Sequence, residues 1–208
     1  MSSIKLKHSG GNAVSLHPPT SAPSASDVQF KLPTADGTAG QVLKTDGSGN
    51  LSWVSPGPTM FQRWVFTSPI TFGSSWSVIS TNLSARSASI GSSMTQSSGV
   101  FTFPATGIYK VEFYGVWLDQ SNNNDYLGQE IQFSTDSGSN WTDGVQGWQS
   151  QDSNMYASQT ISYIFDVTNV STHKIRFRAQ AQNSNGFIFG SNSTSDLNFF
   201  EFIRLGDT

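Results

Sequence analysis

The residues of this chain best suited to moving a proton or holding a metal are three histidines, His8, His17 and His173, and a scatter of aspartates. None of the histidines sits in a recognisable nucleophile context. There is no Gly-x-Ser-x-Gly, no His-Glu-x-x-His and no glycine-rich phosphate loop. With no cysteine, thiolate nucleophiles, thiolate zinc sites and disulfides are excluded. Asp119, Asp125, Asp136, Asp143 and Asp152 fall between expected strands. Two of them could converge as the carboxylates of a glycosidase do, but loop aspartate more often caps its own backbone. Residues 119–125, DQSNNND, are oxygen-rich enough for calcium yet lack the alternating acids of a dedicated calcium loop. These patterns predict no catalytic residue, no metal and no cofactor. Trp141, Trp148, Met155 and Tyr156 stand among glutamines and asparagines, which leaves two readings. Exposed, they suit a carbohydrate or protein surface; buried, they complete the core, and the balance falls on the core.

Residues 134–141, STDSGSNW, resemble the Asp-box turn of sialidases, with Asn140 in place of the usual threonine. The resemblance implies a structural role: Asp136 caps turn amides, Gly138 supplies a positive φ and Trp141 packs over the hairpin.

The elements that would carry such loops are strands. After Gly107, residues Tyr109, Val111, Phe113, Gly115 and Trp117 alternate with Lys110, Glu112, Tyr114 and Val116, a period of two in β-forming residues. The second face starts polar and ends apolar, so a covering layer or a neighbouring subunit is expected over that end. Further strands are predicted at 61–67, 76–81, 87–95, 100–104, 126–135, 140–149, 156–167, 173–183 and 197–205, with no amphipathic helix. Short strands with Ser/Gly/Asn turns read as a sandwich or barrel. In the last, Phe199, Phe200, Phe202, Ile203 and Leu205 put large apolar groups on both faces, which calls for cover by another subunit. Together with Tyr109, Phe113 and Trp117 they are the candidates for core or trimer interface. Phe200→Asp or Phe202→Asp is expected to break the trimer.

Before the sandwich, residues 1–32 read as an extended arm in which Ile4, Leu6, Val14 and Leu16 form two short alternating runs. Two readings stand: a disordered tail, or an anchoring arm that adds strands to another protein's sheet edge. Residues 33–58 carry two Asp-Gly turns. The second lies between 41–45 and 50–54 and predicts a small β-hairpin with Val42, Leu43, Leu51 and Trp53 as its apolar content. A lone hairpin is marginal in water and should pack on copies or on a partner. The Pro56, Gly57, Pro58 break opens a domain at 59–208.

The 208 residues are only 12% charged, about half the usual share, with 12% aromatics and a net charge of −3. Such a chain keeps its solubility through hydroxyls and amides and is not built to bind nucleic acid. No apolar run follows the basic N-terminus and none nears 18 residues, so neither a signal peptide nor a membrane span is expected. A surface-like composition without an export signal suits a particle assembled in the cytoplasm.

Phe101, Gly107, Tyr109 and Phe113, with residues 76–82 (WSVISTN) and 198–205 (NFFEFIRL), resemble the strands of the C1q/TNF-like jelly roll, although Val111 stands where that family carries an aromatic. The resemblance covers 60–208 and implies an all-β antiparallel jelly-roll sandwich that forms a homotrimer. Residues 35–53 (ADGTAGQVLKTDGSGNLSW) and 2–10 (SSIKLKHSG) resemble the attachment regions of tailed-phage virion appendages, notably those of cyanophages. That implies a non-enzymatic structural protein at the virion surface, made in the host cytoplasm. Its partners would be other virion proteins and a host cell-surface glycan or protein, with no nucleic acid and no membrane. Capsid decoration leads, a short tail fibre or receptor-binding protein is the alternative, and a glycan depolymerase follows.

Overall fold

The computed structural model describes residues 4–11, 13–17, 19–23, 28–119, 126–150, 155–182, 187–189 and 196–208. The chain divides into two compact units, Met1–Pro56 and Gly57–Thr208.

In the first unit, β1 (Ile4–Lys7) and β2 (Ala13–Leu16) pair antiparallel, with Ile4 opposite Leu16. The two runs read as edge strands for another protein thus pair with one another, and the expected arm is not extended here. Gly11 makes this possible: at φ +92 its N–H donates to the His8 carbonyl at 3.0 Å. A second hairpin joins β3 (Val42–Thr45) to β4 (Leu51–Val54). Segment 31–37 lies along it, with Leu51 N–H donating to the Lys31 carbonyl at 2.9 Å and the Trp53 indole N–H to the Ala35 carbonyl at 3.0 Å.

The second unit is all strand. Its elements are β5 (Met60–Phe66), β6 (Ile70–Phe72), β7 (Ser77–Val78), β8 (Leu83–Ala85), β9 (Thr95–Ser97), β10 (Val100–Thr102), β11 (Gly107–Asp119), β12 (Tyr126–Ser134), β13 (Thr142–Ser150), β14 (Tyr156–Val167), β15 (Lys174–Ala181), β16 (Phe187–Phe189) and β17 (Phe199–Gly206). Among the described residues, one sheet runs β13-β12-β15-β10-β9 with β7 beside β15. The facing sheet runs β6-β16-β11-β17-β5-β8 with β14 beside β11. Sequence-distant strands thus lie side by side, the mark of a jelly roll.

Two of the expected strands change. The 87–95 strand is absent, and pairing passes to β8 before it and β9 after it. Met94 is instead pinned by its N–H donating to the buried Gln62 side-chain oxygen at 2.7 Å. The 76–81 strand shrinks to β7. The short strands β6 and β16, which alternation did not reveal, extend the β11 sheet, with β16 between β11 and the edge strand β6.

Alternation sets the core. Tyr109, Val111, Phe113 and Trp117 of β11 are fully buried between the sheets, as are Phe101, Phe177, Phe200 and Phe202. Phe177 and Phe200 stack across the sandwich at 3.7 Å and 4°. Phe101 and Phe113 meet Phe200 edge-on at 5.7 and 4.9 Å, the geometry aromatic quadrupoles favour.

Candidate interaction surfaces

The outward face of the β11 sheet carries what the inner face does not need. The register aligns Tyr114 with Phe199, Glu112 with Glu201 and Lys110 with Ile203. Tyr114 stacks on Phe199 at 5.1 Å, and the Arg63 guanidinium lies 4.0 Å over the same Phe199 ring. The opposed carboxylates each hold a cation, Glu201 to Arg63 at 2.6 Å and Glu112 to Lys110 at 2.7 Å. Asp196 bridges Arg63 at 3.2 Å and Arg86 at 2.5 Å. Burial works against its charge, but hydrogen bonds from Arg86 and Arg63 hold the carboxyl below the ordinary range. On the same outward face Ile203 and Phe199 are half-buried, while Ile164 and Leu205 are 55% and 56% exposed.

The eight interface-or-core candidates therefore separate. Tyr109, Phe113, Trp117, Phe200 and Phe202 are core, whereas Phe199, Ile203 and Leu205 lie on the outward face. The expectation that Phe200→Asp or Phe202→Asp breaks a trimer is thereby corrected: both rings point between the sheets, so either change strikes the fold of the subunit.

The outward face of the other sheet holds an ionic ladder. Glu130 is fully buried and accepts from the Arg178 Nε–H and from the Gln146 amide at 2.6 Å. Gln132 donates to Asp143 at 2.6 Å and accepts from Arg176 Nε–H at 2.7 Å. That bond from Gln132 is the main reason the Asp143 carboxyl sits below its ordinary range. Aromatics cap both ends: Arg176 lies 4.1 Å over Trp141, and Arg178 lies 5.5 Å over Trp76, which packs edge-on against Trp148. The aromatics assigned to the core divide. Trp141 is half-buried, but Trp148, Met155 and Tyr156 are exposed, because they sit on outward positions or at a strand's entry.

Two turns use the same device. Asp136 accepts the Asn140 N–H at 2.9 Å and the Asn140 amide at 2.7 Å, and Ser134 Oγ takes the Gly138 N–H at 2.9 Å. Gly138, at φ +89, lies under the Trp141 ring, where a Cβ would come within 3.3 Å. In the first unit Asp46 accepts the Asn50 N–H at 3.1 Å and the Asn50 amide at 2.5 Å. The Asp-to-Asn spacing of four was legible at both places, yet only the Asp136 copy was singled out. Asp136 is drawn from 3.8 down to about 2, mainly by the Asn140 N–H, then by the Asn140 amide and the Ser134 hydroxyl. Its folded value lies below its unfolded one, so its contribution is complete above about pH 3.8 and is lost as pH falls towards 2. The stability gap between wild type and Asp136→Ala should therefore close over that window in urea titrations at stepped pH. A gap unchanged at about pH 2 would contradict the assignment.

His173 is structural, stacking on Phe165 at 5.4 Å between Thr168 and Thr172. Asp125, Asp152 and most of the 119–125 calcium candidate lie outside the described residues. Among the described residues no three His, Cys, Asp or Glu converge on a metal position. Ile4, Leu6 and Leu16 are exposed on the first hairpin, and Val14 pairs with Leu6 in its register.

No protein-family model and no curated protein matches this sequence. Solved structures do match in shape. Murine APRIL aligns with a TM-score of 0.53 at 13% identity, over 70% of this chain and 98% of that one. The Eiger TNF of S. frugiperda aligns with a TM-score of 0.53 at 12% identity, over 73% and 96%. The fold is an all-β jelly roll of the C1q/TNF type.

Proposed function

We propose that this chain is a structural and interaction protein of a tailed-phage particle, a homotrimer whose first unit anchors it and whose jelly roll projects as a knob. The observation that carries the anchoring is that none of the described residues of the first unit belongs to a buried core. Ile4, Leu6 and Leu16 on the first hairpin, Phe30 and Leu32 on the segment between the hairpins, and Val42 and Leu43 on the second hairpin are all exposed. Water does not stabilise so much apolar surface on so little structure, so a partner must cover it. The resemblance of residues 2–10 and 35–53 to virion attachment regions supplies the kind of partner, a capsid or tail subunit. Trimerisation falls to the outward face of the β11 sheet, which carries Tyr114, Phe199, Ile203 and Ile164 together with the Arg63–Glu201 clamp. Three knobs per trimer would turn weak contacts into avidity. Capsid decoration is preferred over a short tail fibre because the described residues before the jelly roll form two small hairpins and not a coiled or β-helical shaft.

Two measurements test this. Ile203→Asp should convert a trimer to monomers by light scattering while leaving the β-sheet circular dichroism unchanged, since the facing Lys110 is already held by Glu112 and a carboxylate buried there would compete for it. A trimer that survives would move the interface elsewhere. Cryo-EM of the purified particle should show threefold knobs on the shell. Knobs confined to the tail would make the protein a fibre, and their absence would end the virion reading.

A further inference from the structure

We propose that the outward face of β12 and β13 at Tyr126 and Trp148 is a binding site for an uncharged saccharide. The site lies on the sheet opposite the proposed trimer face and does not depend on the virion reading.

Two aromatic rings are held out to water on regular strands, with Trp148 48% and Tyr126 37% exposed. They are fixed in place. Gly128 forms the floor, and a Cβ there would come within 2.8 Å of the Trp76 ring and 2.9 Å of the Trp148 ring, so both indoles rest on bare backbone. Trp148 is then gripped edge-on by Trp76 at 5.4 Å and by Tyr126 at 5.3 Å. Rings immobilised before binding lose little entropy when a ligand arrives, so their exposed faces act as a preorganised platform. Gln149 and Ser150 complete the lining of the open cleft, the Gln149 amide donating to the Ser150 carbonyl at 3.1 Å and keeping its oxygen as an acceptor beside the Ser150 hydroxyl. The cleft's volume of about 590 Å³ falls in the range of small-molecule sites.

The chemistry selects the occupant. The ionic groups beside the platform are engaged: Glu130 with Arg178 and Gln146, and Asp143 with Gln132. Among the described residues no unpaired charge is offered beside the platform, so an ionic ligand would be desolvated there without compensation from them. A cationic ligand meets a further obstacle, because Trp76 already faces the Arg178 guanidinium at 5.5 Å. A protein partner would need roughly 20–30 residues on a side, and this surface offers two rings and two polar side chains. A pyranose fits what remains: its C–H face lies on an aromatic ring, and its hydroxyls reach the Gln149 amide oxygen and the Ser150 hydroxyl.

The test titrates the full chain with maltoheptaose, laminaripentaose and a mannose pentasaccharide. Tryptophan fluorescence and saturation-transfer NMR are the readouts, with sialyllactose and choline as charged comparisons. At least one neutral oligosaccharide should saturate, with saturation transfer strongest at its C–H protons. Trp148→Ala should weaken it by roughly tenfold or more, and Tyr126→Ser should weaken it by less, while Trp141→Ala, at the far end of the sheet, should leave it unchanged. Both site variants alter exposed side chains, and a wild-type circular dichroism spectrum will confirm that they fold. The proposal is overturned if no neutral sugar saturates, if only a charged probe binds, or if Trp148→Ala binds as wild type does. Because it uses soluble protein, a failure here leaves the particle location untouched, and the reverse holds too.

Discussion

Phe200→Ala should lower the stability of the subunit by about 3–5 kcal/mol, the cost of emptying an aromatic site in a close-packed core. Phe200 is fully buried and stacks on Phe177 at 3.7 Å, with Phe66, Phe101 and Phe113 around it edge-on. These rings come from β5, β10, β11, β15 and β17, so one truncation removes contacts that join both sheets. Such a loss is a large share of the ~5–15 kcal/mol that holds a domain folded. The neighbouring Phe199→Ala, one residue away and on the other face, should leave an isolated subunit much less affected but weaken association. Urea unfolding at two protein concentrations separates them. The Phe200→Ala loss should be similar at both, whereas the Phe199→Ala loss should shrink on dilution, as wild type and variant both approach the lone subunit and the stabilisation by association disappears. A Phe200→Ala loss below about 1 kcal/mol would mean that the core has collapsed around the gap, against the packing described.

That one-residue contrast also shows what could be read from the sequence. Strict alternation in β11 separated Tyr109, Phe113 and Trp117 from Lys110, Glu112 and Tyr114 without a structure, because a pleated strand has only two faces. The last strand did not separate, since Phe199 and Phe200 are both aromatic and only the partner layer tells inside from outside. In β12 the pattern fails altogether: Gln129 points into the core and Glu130 points out, yet both are fully buried. Neither atom of the Gln129 amide has a hydrogen-bond partner among the described side chains and backbone, and we have no physical account of it. Glu130 is buried by Arg178 and Gln146, contributed from sequence positions 48 and 16 residues away, which no local pattern announces. For Trp148 the sequence leaves an exposed and a buried reading with the balance on the core, and the exposed one holds for a related reason. Its exposure follows from Gly128 across the ladder and Trp76 above it, a placement set by topology and not by composition. The turns were legible because their chemistry is local, Asp136 to Asn140 and Asp46 to Asn50.

Glu130 carries the second large effect. Glu130→Ala should cost about 3–5 kcal/mol, the range for removing one member of a buried ion pair. The loss comes less from the attraction forfeited than from the Arg178 guanidinium left behind, whose side chain is only 20% exposed. Asp143, at 3.7 Å from Arg178, is too far and too exposed to replace Glu130. If this account is right, removing both charges should be milder than removing one. Glu130→Met combined with Arg178→Met should lose less than Glu130→Ala alone, because no ion is stranded and apolar volume fills the space. A double variant as damaged as the sum of its singles would show that the two residues act independently, and the buried pair would then not be the source of the loss. The same comparison bears on the aromatic platform. Glu130, Arg178 and Gln146 tie β12, β15 and β13 together two residues below Gly128, Gln180 and Trp148. The single variant should therefore loosen Trp148 and weaken sugar binding, while the double variant, with its strands still packed, should recover part of it.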